Sequence, residues 1–499
     1  MSKRPGGTPP MTGGKRPVTG GKPPVIVWFR QDLRLQDHAA LEGALAGGGP
    51  VLPVYVLDDD SAGTWAAGGA ARWWLHHSLA SLAASLAARG AALVLRHGPA
   101  AEVIPALAQE TGATEVHAGR LHEPWARQTE AATAAALRRA GADLLLHRTA
   151  TLFDLDSIRT KTGGIYGVYT PFAKTCRALG EPHAPTPAPD RIPCPAPPRS
   201  DRLEDWALLP THPDWAGGFR DTWKVGEAAA HDRLAAFLDK AVHGYDTGRN
   251  LPGQPGTSMV SPHLHWGELS PAQVWATAQL AAQATGKGLE VFLGEILWRE
   301  FSAYLLWHNP RMPEQPLRPD FARLAVRDDP ADLRAWQRGR TGIPIVDAGM
   351  RQLWHLGWMH NRVRMIAASF LVKQLLLPWQ AGSAYFWDTL VDADLASNSA
   401  SWQWIAGCGI DSQPFFRVFN PVSQGEKFDP DGAYVRLWVP ELARLPDKYV
   451  HAPWTAPQDV LAGAGVELGR TYPVAVADLP EARQRALDTY RATVRRAAA

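Results

Sequence analysis

Between Val25 and Arg148, short apolar runs of strand length alternate with Ala- and Leu-rich stretches of helix length. The runs are VIVWFR, VLPVYVLD, ALVLRHG, EVHAG and DLLLHR; the stretches between them include WWLHHSLASLAASLAARG and EAATAAALRRAG. This order predicts an α/β domain built on a doubly wound parallel sheet with helices on both faces. No GxGxxG follows the first run, so a dinucleotide site of the Rossmann type is not indicated. Residues 181–200, EPHAPTPAPDRIPCPAPPRS, are too broken by proline for a helix and predict an extended linker. From Gly226 onward the pattern is helical, with turns at Pro/Gly clusters such as NLPGQPGTS, and no strand-like alternation of any length returns. The pattern therefore divides the chain into a tail over 1–24, an α/β domain over 25–150, an interdomain linker over 151–225, a helical domain over 226–475, and a C-terminal helix or tail over 476–499.

Composition narrows the class. At 499 residues the chain is long enough for two domains with sizeable cores. Its net charge of +2 gives no global case for nucleic-acid binding, so any DNA site must be a local basic patch. Cys176, Cys194 and Cys408 are far apart and odd in number, which argues against a disulfide framework and suits a reducing, cytoplasmic setting. Residues 1–24 are rich in Gly, Pro, Lys and Thr, lack the apolar stretch of a signal peptide, and read as a disordered tail. The long apolar window Leu79 to Leu95 is interrupted by Arg89 and Gly90, so no membrane association is expected.

Chemistry concentrates between Gly357 and Trp404, where GWMHNRVRM is followed by an apolar run to Trp379 and then by DTLVDADLASNSASWQW. The chain has 21 Trp against 10 Tyr, and this stretch is dense in that excess. Trp suits stacking on a base or a flavin, but a large helical core would also use it. Elsewhere, Thr257, Ser258, Met259, Val260 and Ser261 precede a helix start at Ser261-Pro262, an ordinary cap or an anion site. Glu295, Trp298 and Arg299 share one helix face, either as a Glu–Arg surface pair beside a core Trp or as the wall of a base pocket. Asn361 and Met365 are similarly four apart, and Met365 alone reads as a soft core residue. Asp392 and Asp394 could suggest a metal, but the flanking sequence offers no further ligands at a recognisable spacing, and none is expected.

These residues carry a resemblance. GWMHNRVRM, DADLASNSASWQW and PFFRVFNPVSQGEKFDP resemble the flavin and DNA-lesion segment of the photolyase/cryptochrome family. VIVWFRQDLRLQDHAAL is similar to its opening strand and turn, GTSMVSPHLHWGELS to its flavin-phosphate loop, and EILWREF to its lesion-binding helix. The similarity runs from Val25 to about Trp454, and the chain looks most like a class I photolyase acting on cyclobutane pyrimidine dimers.

The resemblance implies a Rossmann-like antenna domain followed by an all-α domain that binds FAD non-covalently. Its reaction is light-driven: excited reduced FAD donates an electron to a flipped-out dimer, whose cyclobutane ring splits. It implies that residues 257–261 and Tyr245 hold the FAD phosphates, and that Phe292, Arg299, Arg364, Asp392, Ala393, Asp394 and Asn398 complete the cofactor site. Asn398 would face flavin N5, where an amide can accept a hydrogen bond from a protonated N5–H. Glu295, Trp298, Asn361, Met365 and Trp404 would meet the lesion. Arg249, Arg299, Arg362 and Gln424 would meet the surrounding DNA. Met365 points to cyclobutane dimers, because the six-four enzymes of the family carry His there.

Two departures from the family pattern stand out. Trp402 and Trp379 match the inner members of the family's electron-transfer chain, but the outer Trp is replaced by Val326, for which Trp336, Trp387 or Tyr385 are the candidate substitutes. The folate site usually reads Asn-x-x-Tyr-Glu and here is Gly119, Arg120, Leu121, His122, Glu123, leaving only Glu123. The antenna, folate or deazaflavin, is therefore uncertain. Partners implied are DNA containing pyrimidine dimers and no second copy of the chain. The alternative is a cryptochrome-type blue-light photoreceptor, kept alive by Val326 and opposed by Asn398, Met365, Trp404 and the shortness of the chain after about Pro473.

Overall fold

The computed structural model describes residues 22–281 and 286–493. The expected tail at 1–24 therefore lies outside the described residues, apart from Lys22–Pro24. The five apolar runs form β1 (Val25–Phe29), β2 (Val51–Leu57), β3 (Val94–His97), β4 (Glu115–Gly119) and β5 (Asp143–His147), one parallel sheet in the order β3-β2-β1-β4-β5. Parallel strands need helical crossovers. These are α1 (Ala39–Ala46), α2 (Gly69–Ala87), α3 (Ala100–Thr111) and α4 (Pro124–Arg139). β1 and β2 are buried along their whole length, as a sheet covered on both faces requires, whereas the edge strand β5 is half exposed.

The region read as linker is built into the body. Residues Tyr169–Ala178 form α5, which buries Phe172 and Cys176 against the helical domain. The proline-rich stretch is extended but pinned: Ile192 N–H donates to Arg89 O, Pro193 O accepts from Val51 N–H, and Ser200 Oγ accepts from Leu95 N–H. Proline cannot continue a helix, yet its carbonyls still accept, so the segment closes off the rim of the α/β domain.

The remaining elements used below are helices: α6 (Glu227–Lys240), α7 (Ser261–His265), α8 (Pro271–Ala281), α9 (Lys287–His308), α10 (Pro344–Leu356), α11 (Asn361–Ser369), α12 (Trp379–Thr389), α13 (Leu395–Ala406), α14 (Pro421–Phe428) and α15 (Leu479–Thr493). α13 is central; it packs against α9, α11 and α12. Much of the tryptophan excess is structural. Trp73 and Trp74 of α2, together with Trp223, Trp266 and Trp358, form the apolar layer joining the two domains. Each of four indoles there finds a partner: Trp74 Nε1 donates to Glu268, Trp223 to Leu356 O, Trp266 to Val391 O and Trp358 to Ser261 Oγ. Among the described residues no helix is long and apolar enough to cross a membrane.

Candidate functional site

α13 begins at Asp394, whose carboxylate accepts from Ser397 N–H at 2.7 Å, a side-chain cap of a bare helix end. One turn on, Asn398 is buried, and its Nδ2 donates to Ser383 O at 3.1 Å and Ser383 Oγ at 3.0 Å. Both donors of the amide point at α12, which leaves Oδ1 as the group free to accept. That is the arrangement required to receive a proton-bearing ring nitrogen.

Asp392, just before the cap, is paired by Arg364 at 3.2 and 2.9 Å to its two oxygens and accepts from Ser261 Oγ at 2.6 Å. Arg364 also donates to Met359 O and lies 5.9 Å from the Trp358 ring. This ion pair brings Ser261, Arg364 and Asp392 together. Met259 holds φ at +51°, a left-handed backbone that costs a non-glycine residue energy and recurs at binding loops. Tyr245 is buried, edge-on to Phe237 and Phe292.

Asp394 sits where the domains meet. Its other oxygen lies 3.8 Å from His265 Nδ1 and 3.9 Å from His122 Nε2, which comes from the α/β domain. Burial alone would raise its pKa, but the neighbouring His265, then His122 and Arg299, hold it well below the usual carboxylate range. His122, Glu123 and Asp394 have ligand-type atoms within 4.8 Å of one another. The sequence flanking the two aspartates offers no ligand at a recognisable spacing; the histidines beside Asp394 come from distant sequence. Glu123 is fully buried beside His122. Gly119 has no room for a side chain, because a Cβ there would collide with Thr149 Oγ1 and Asp32 Oδ2. Its carbonyl accepts from Arg30. The departure at this position is therefore imposed by packing.

On α9, the Glu295–Arg299 surface pair, one of the two readings of that helix face, does not form. Glu295 accepts from Arg249 at 2.5 Å, and Arg299 reaches Ala150 O and Leu264 O. Trp298 is half-buried and lies against Tyr169 of α5, with ring centroids 3.6 Å apart and planes 7° from parallel. On α11, Asn361 is exposed, Met365 is half-buried, and Arg362 donates to Asn250 Oδ1 at 2.6 Å while lying 4.4 Å over Phe428. Trp404 and Gln424 are half-buried, and Phe416, in the loop between α13 and α14, is exposed. His360 caps α11 by accepting from Arg362 N–H. Burial, followed by Arg362, Arg364 and Arg249, lowers its pKa to about 4.

Trp402 is buried, but its ring contacts run to Phe386 at 5.1 Å and Trp336 at 6.2 Å rather than to Trp379. Trp336 in turn lies 5.8 Å from Tyr385, which is half-buried and donates to Gln337 O. Trp387 belongs elsewhere, edge-on to Trp65 at 5.5 Å. Val326 is exposed, beside the turn that precedes Trp379, because Arg327 N–H donates to Leu376 O. Sequence reasoning missed Tyr169, Ser383, His122 and His265. Each reaches its partner across long sequence separation, and no local pattern marks it.

Trp65 and Trp387 belong to the lining of a cavity of about 110 Å³ between the two domains, with Trp28, Tyr55, Trp125 and Ala393. A second cavity, about 300 Å³, lies at the ends of β4 and β5 and is lined by Arg120, His122, Arg148 and Trp307 among others.

Comparison with known proteins agrees with this arrangement. Residues 25–190 match the DNA photolyase family model, and residues 292–492 match that of the FAD binding domain of DNA photolyase. A deoxyribodipyrimidine photo-lyase of Agrobacterium fabrum is 51% identical, over 94% of this chain and 98% of its own. Cryptochrome-1 of Arabidopsis thaliana is 36% identical, over 92% of this chain and 69% of its own. A solved bacterial class III photolyase from Agrobacterium tumefaciens superposes with a TM-score of 0.92 at 49% identity, covering 96% of this chain and 99% of that one. That relative is class III, where the sequence motifs suggested class I.

Proposed function

The chain belongs to the photolyase/cryptochrome family, and from that premise we propose that it is a light-driven DNA repair enzyme, a deoxyribodipyrimidine photolyase, acting on cyclobutane pyrimidine dimers. FAD, when bound, supplies the light-driven electron. The observation that carries the reading is Asn398, whose donors are consumed by Ser383 and whose oxygen is left to accept. A neutral acceptor there favours the reduced, protonated cofactor that repair needs. Arg364 and Asp392 hold the ring's polar edge, with Ser261 oriented by the same carboxylate. Residues 257–261 and Tyr245 take the phosphate side, and Phe292, Arg299, Ala393 and Asp394 complete the enclosure.

Trp298 and Trp404 flank the flipped dimer, Met365 gives it an apolar floor, and Glu295 and Asn361 supply polar contacts to the bases. Arg249 reaches DNA only in part, since it also neutralises Glu295. Arg362 and Gln424 meet the phosphate backbone, which makes binding salt-dependent. A light-harvesting chromophore, folate or deazaflavin, would gain no side-chain contact from Gly119.

The test is direct. Dithionite-reduced protein is mixed with oligonucleotides carrying either a cyclobutane dimer or a six-four photoproduct, then illuminated. The expected result is loss of the dimer alone; repair of the six-four lesion alone would reject the substrate. A blue-light photoreceptor is the second reading, favoured by Val326 and by the similarity to plant cryptochrome. Binding of FAD with no repair of either lesion would select it.

A further inference from the structure

Tyr169 stands at the start of α5, in a segment that reads from the sequence as linker. Its ring lies flat on Trp298 at 3.6 Å, the shortest ring-to-ring distance among the described residues. Two further contacts fix it. The hydroxyl donates to Gly294 O at 2.8 Å, one turn before Trp298 on α9. The backbone N–H donates to Asp411 Oδ2 at 2.8 Å, in the loop that follows α13 and its Trp404. Two residues earlier, Gly167 is pressed against Ile410 so closely that a Cβ would lie 2.6 Å from its side chain. Burial, then Glu295, pushes the Tyr169 hydroxyl up to about 12, so it remains a donor at any working pH.

Trp298 is half-buried, and the Tyr169 ring covers one of its faces. An indole without such a neighbour would lose entropy when a dimer fixed its plane. The Tyr169 ring fixes that plane beforehand, and Asp411 ties it to the loop beyond the opposite tryptophan. We propose that Tyr169 is a positioning residue for dimer recognition, holding Trp298 in its binding orientation and linking it through Asp411 to the Trp404 side of the pocket. This rests on the dimer-repair reading above.

The experiment measures dissociation constants of flavin-loaded protein for a duplex carrying one cyclobutane dimer and for the same duplex undamaged. Wild type is compared with Tyr169→Phe, Tyr169→Leu, Trp298→Ala and the Tyr169→Leu, Trp298→Ala double variant. Tyr169→Leu should weaken dimer binding about three- to tenfold, the worth of one aromatic pair, and leave undamaged DNA unaffected. Tyr169→Phe keeps the ring and should stay within about twofold of wild type. The double variant should bind no more weakly than Trp298→Ala alone, because Tyr169 acts through Trp298. Flavin absorbance reports folding. Should Tyr169→Leu release flavin, Asp411→Ala, which leaves every ring in place, must lower the preference for the dimer by itself. Unchanged dimer affinity in these variants, additive loss in the double variant, or equal loss on undamaged DNA overturns the inference. A wild-type protein with no preference for the dimer overturns the repair reading itself, a different result from a selective protein indifferent to Tyr169.

Discussion

Asn398 shows how one side chain acquires a direction. An amide offers two donors and an acceptor, and only its neighbours decide which faces the cofactor. Ser383 takes both donations, so the oxygen faces away from α12. The residue type was legible in SNSASWQW; its orientation was not, because Ser383 lies 15 residues away on another helix. The same is true of Glu295, whose partner Arg249 is 46 residues away, while the nearer Arg299 turns to backbone carbonyls. Local spacing offered a pair and tertiary contact replaced it. Asn398→Asp keeps the volume but places a carboxylate where the acceptor stood, and Ser383 Oγ can still donate to it. The variant should bind FAD yet accumulate reduced flavin at least tenfold less under dithionite and light, about 1.4 kcal/mol, and lose repair. Absorbance spectra check this, and normal accumulation of reduced flavin would remove Asn398 from the role.

At the scale of elements, the helix start at Ser261-Pro262 was readable because proline marks it, whereas the cap at Asp394 was not read from the sequence. α11 begins less obviously, on the imidazole of His360, which must be neutral to accept from Arg362 N–H. Burial and three arginines lower its pKa from 6.5 to about 4. Between those values the unfolded chain binds the proton and the folded one does not, so this contribution to stability is complete above about 6.5 and is lost as pH falls toward 4. The loss amounts to about 3 kcal/mol at most. His360→Asn keeps a cap acceptor and removes the titration. The melting temperature of wild type should therefore fall relative to that variant between pH 7 and pH 4; parallel curves would refute the assignment.

The tryptophans also behave as a set of elements rather than as motif positions. Sequence matching pairs Trp402 with Trp379 and stops at Val326. Contact instead runs from Trp402 to Trp336 of the segment before α10, and on to half-buried Tyr385. Trp336 was only one of three candidates in the sequence, since nothing local distinguishes it from Trp387, which faces the domain junction. Trp336→Phe should slow light-driven flavin reduction at least tenfold, whereas Val326→Trp should change it less. Repair by chemically pre-reduced protein should be the same in both, because the repair electron does not use this path. Transient absorption of the Trp radical decides between the routes, and an unaltered yield in Trp336→Phe would return the role to Trp379.

For the whole molecule, the two-domain plan was plain from the change in hydrophobic period near residue 226, but the junction between domains was not. It is assembled from contacts that no period encodes: the Trp73, Trp74, Trp223, Trp266 and Trp358 layer, the histidines gathered around Asp394, and Arg34. Arg34 is about 1% exposed and is held almost wholly by carbonyls. Its guanidinium donates to Gln36 O and Asp37 O within its own turn, to Thr149 O at the end of the α/β domain, and to Gly267 O of the helical domain. Gly267 takes φ +66° and leaves no room for a Cβ against Gln31 and Asp32, so the two backbones approach closely there. Arg34 thus satisfies acceptors from both domains at a point water cannot reach. Arg34→Met would fill most of the space and leave these carbonyls unpaired, each at about 1–3 kcal/mol. The variant should lose at least about 3 kcal/mol of stability and release flavin at a lower denaturant concentration than wild type, since Asp394 caps α13, the helix proposed to face the cofactor, from the same junction. Urea titrations followed by flavin fluorescence and by circular dichroism check this. Unchanged midpoints by both probes would mean that the domains are joined by the tryptophan layer alone.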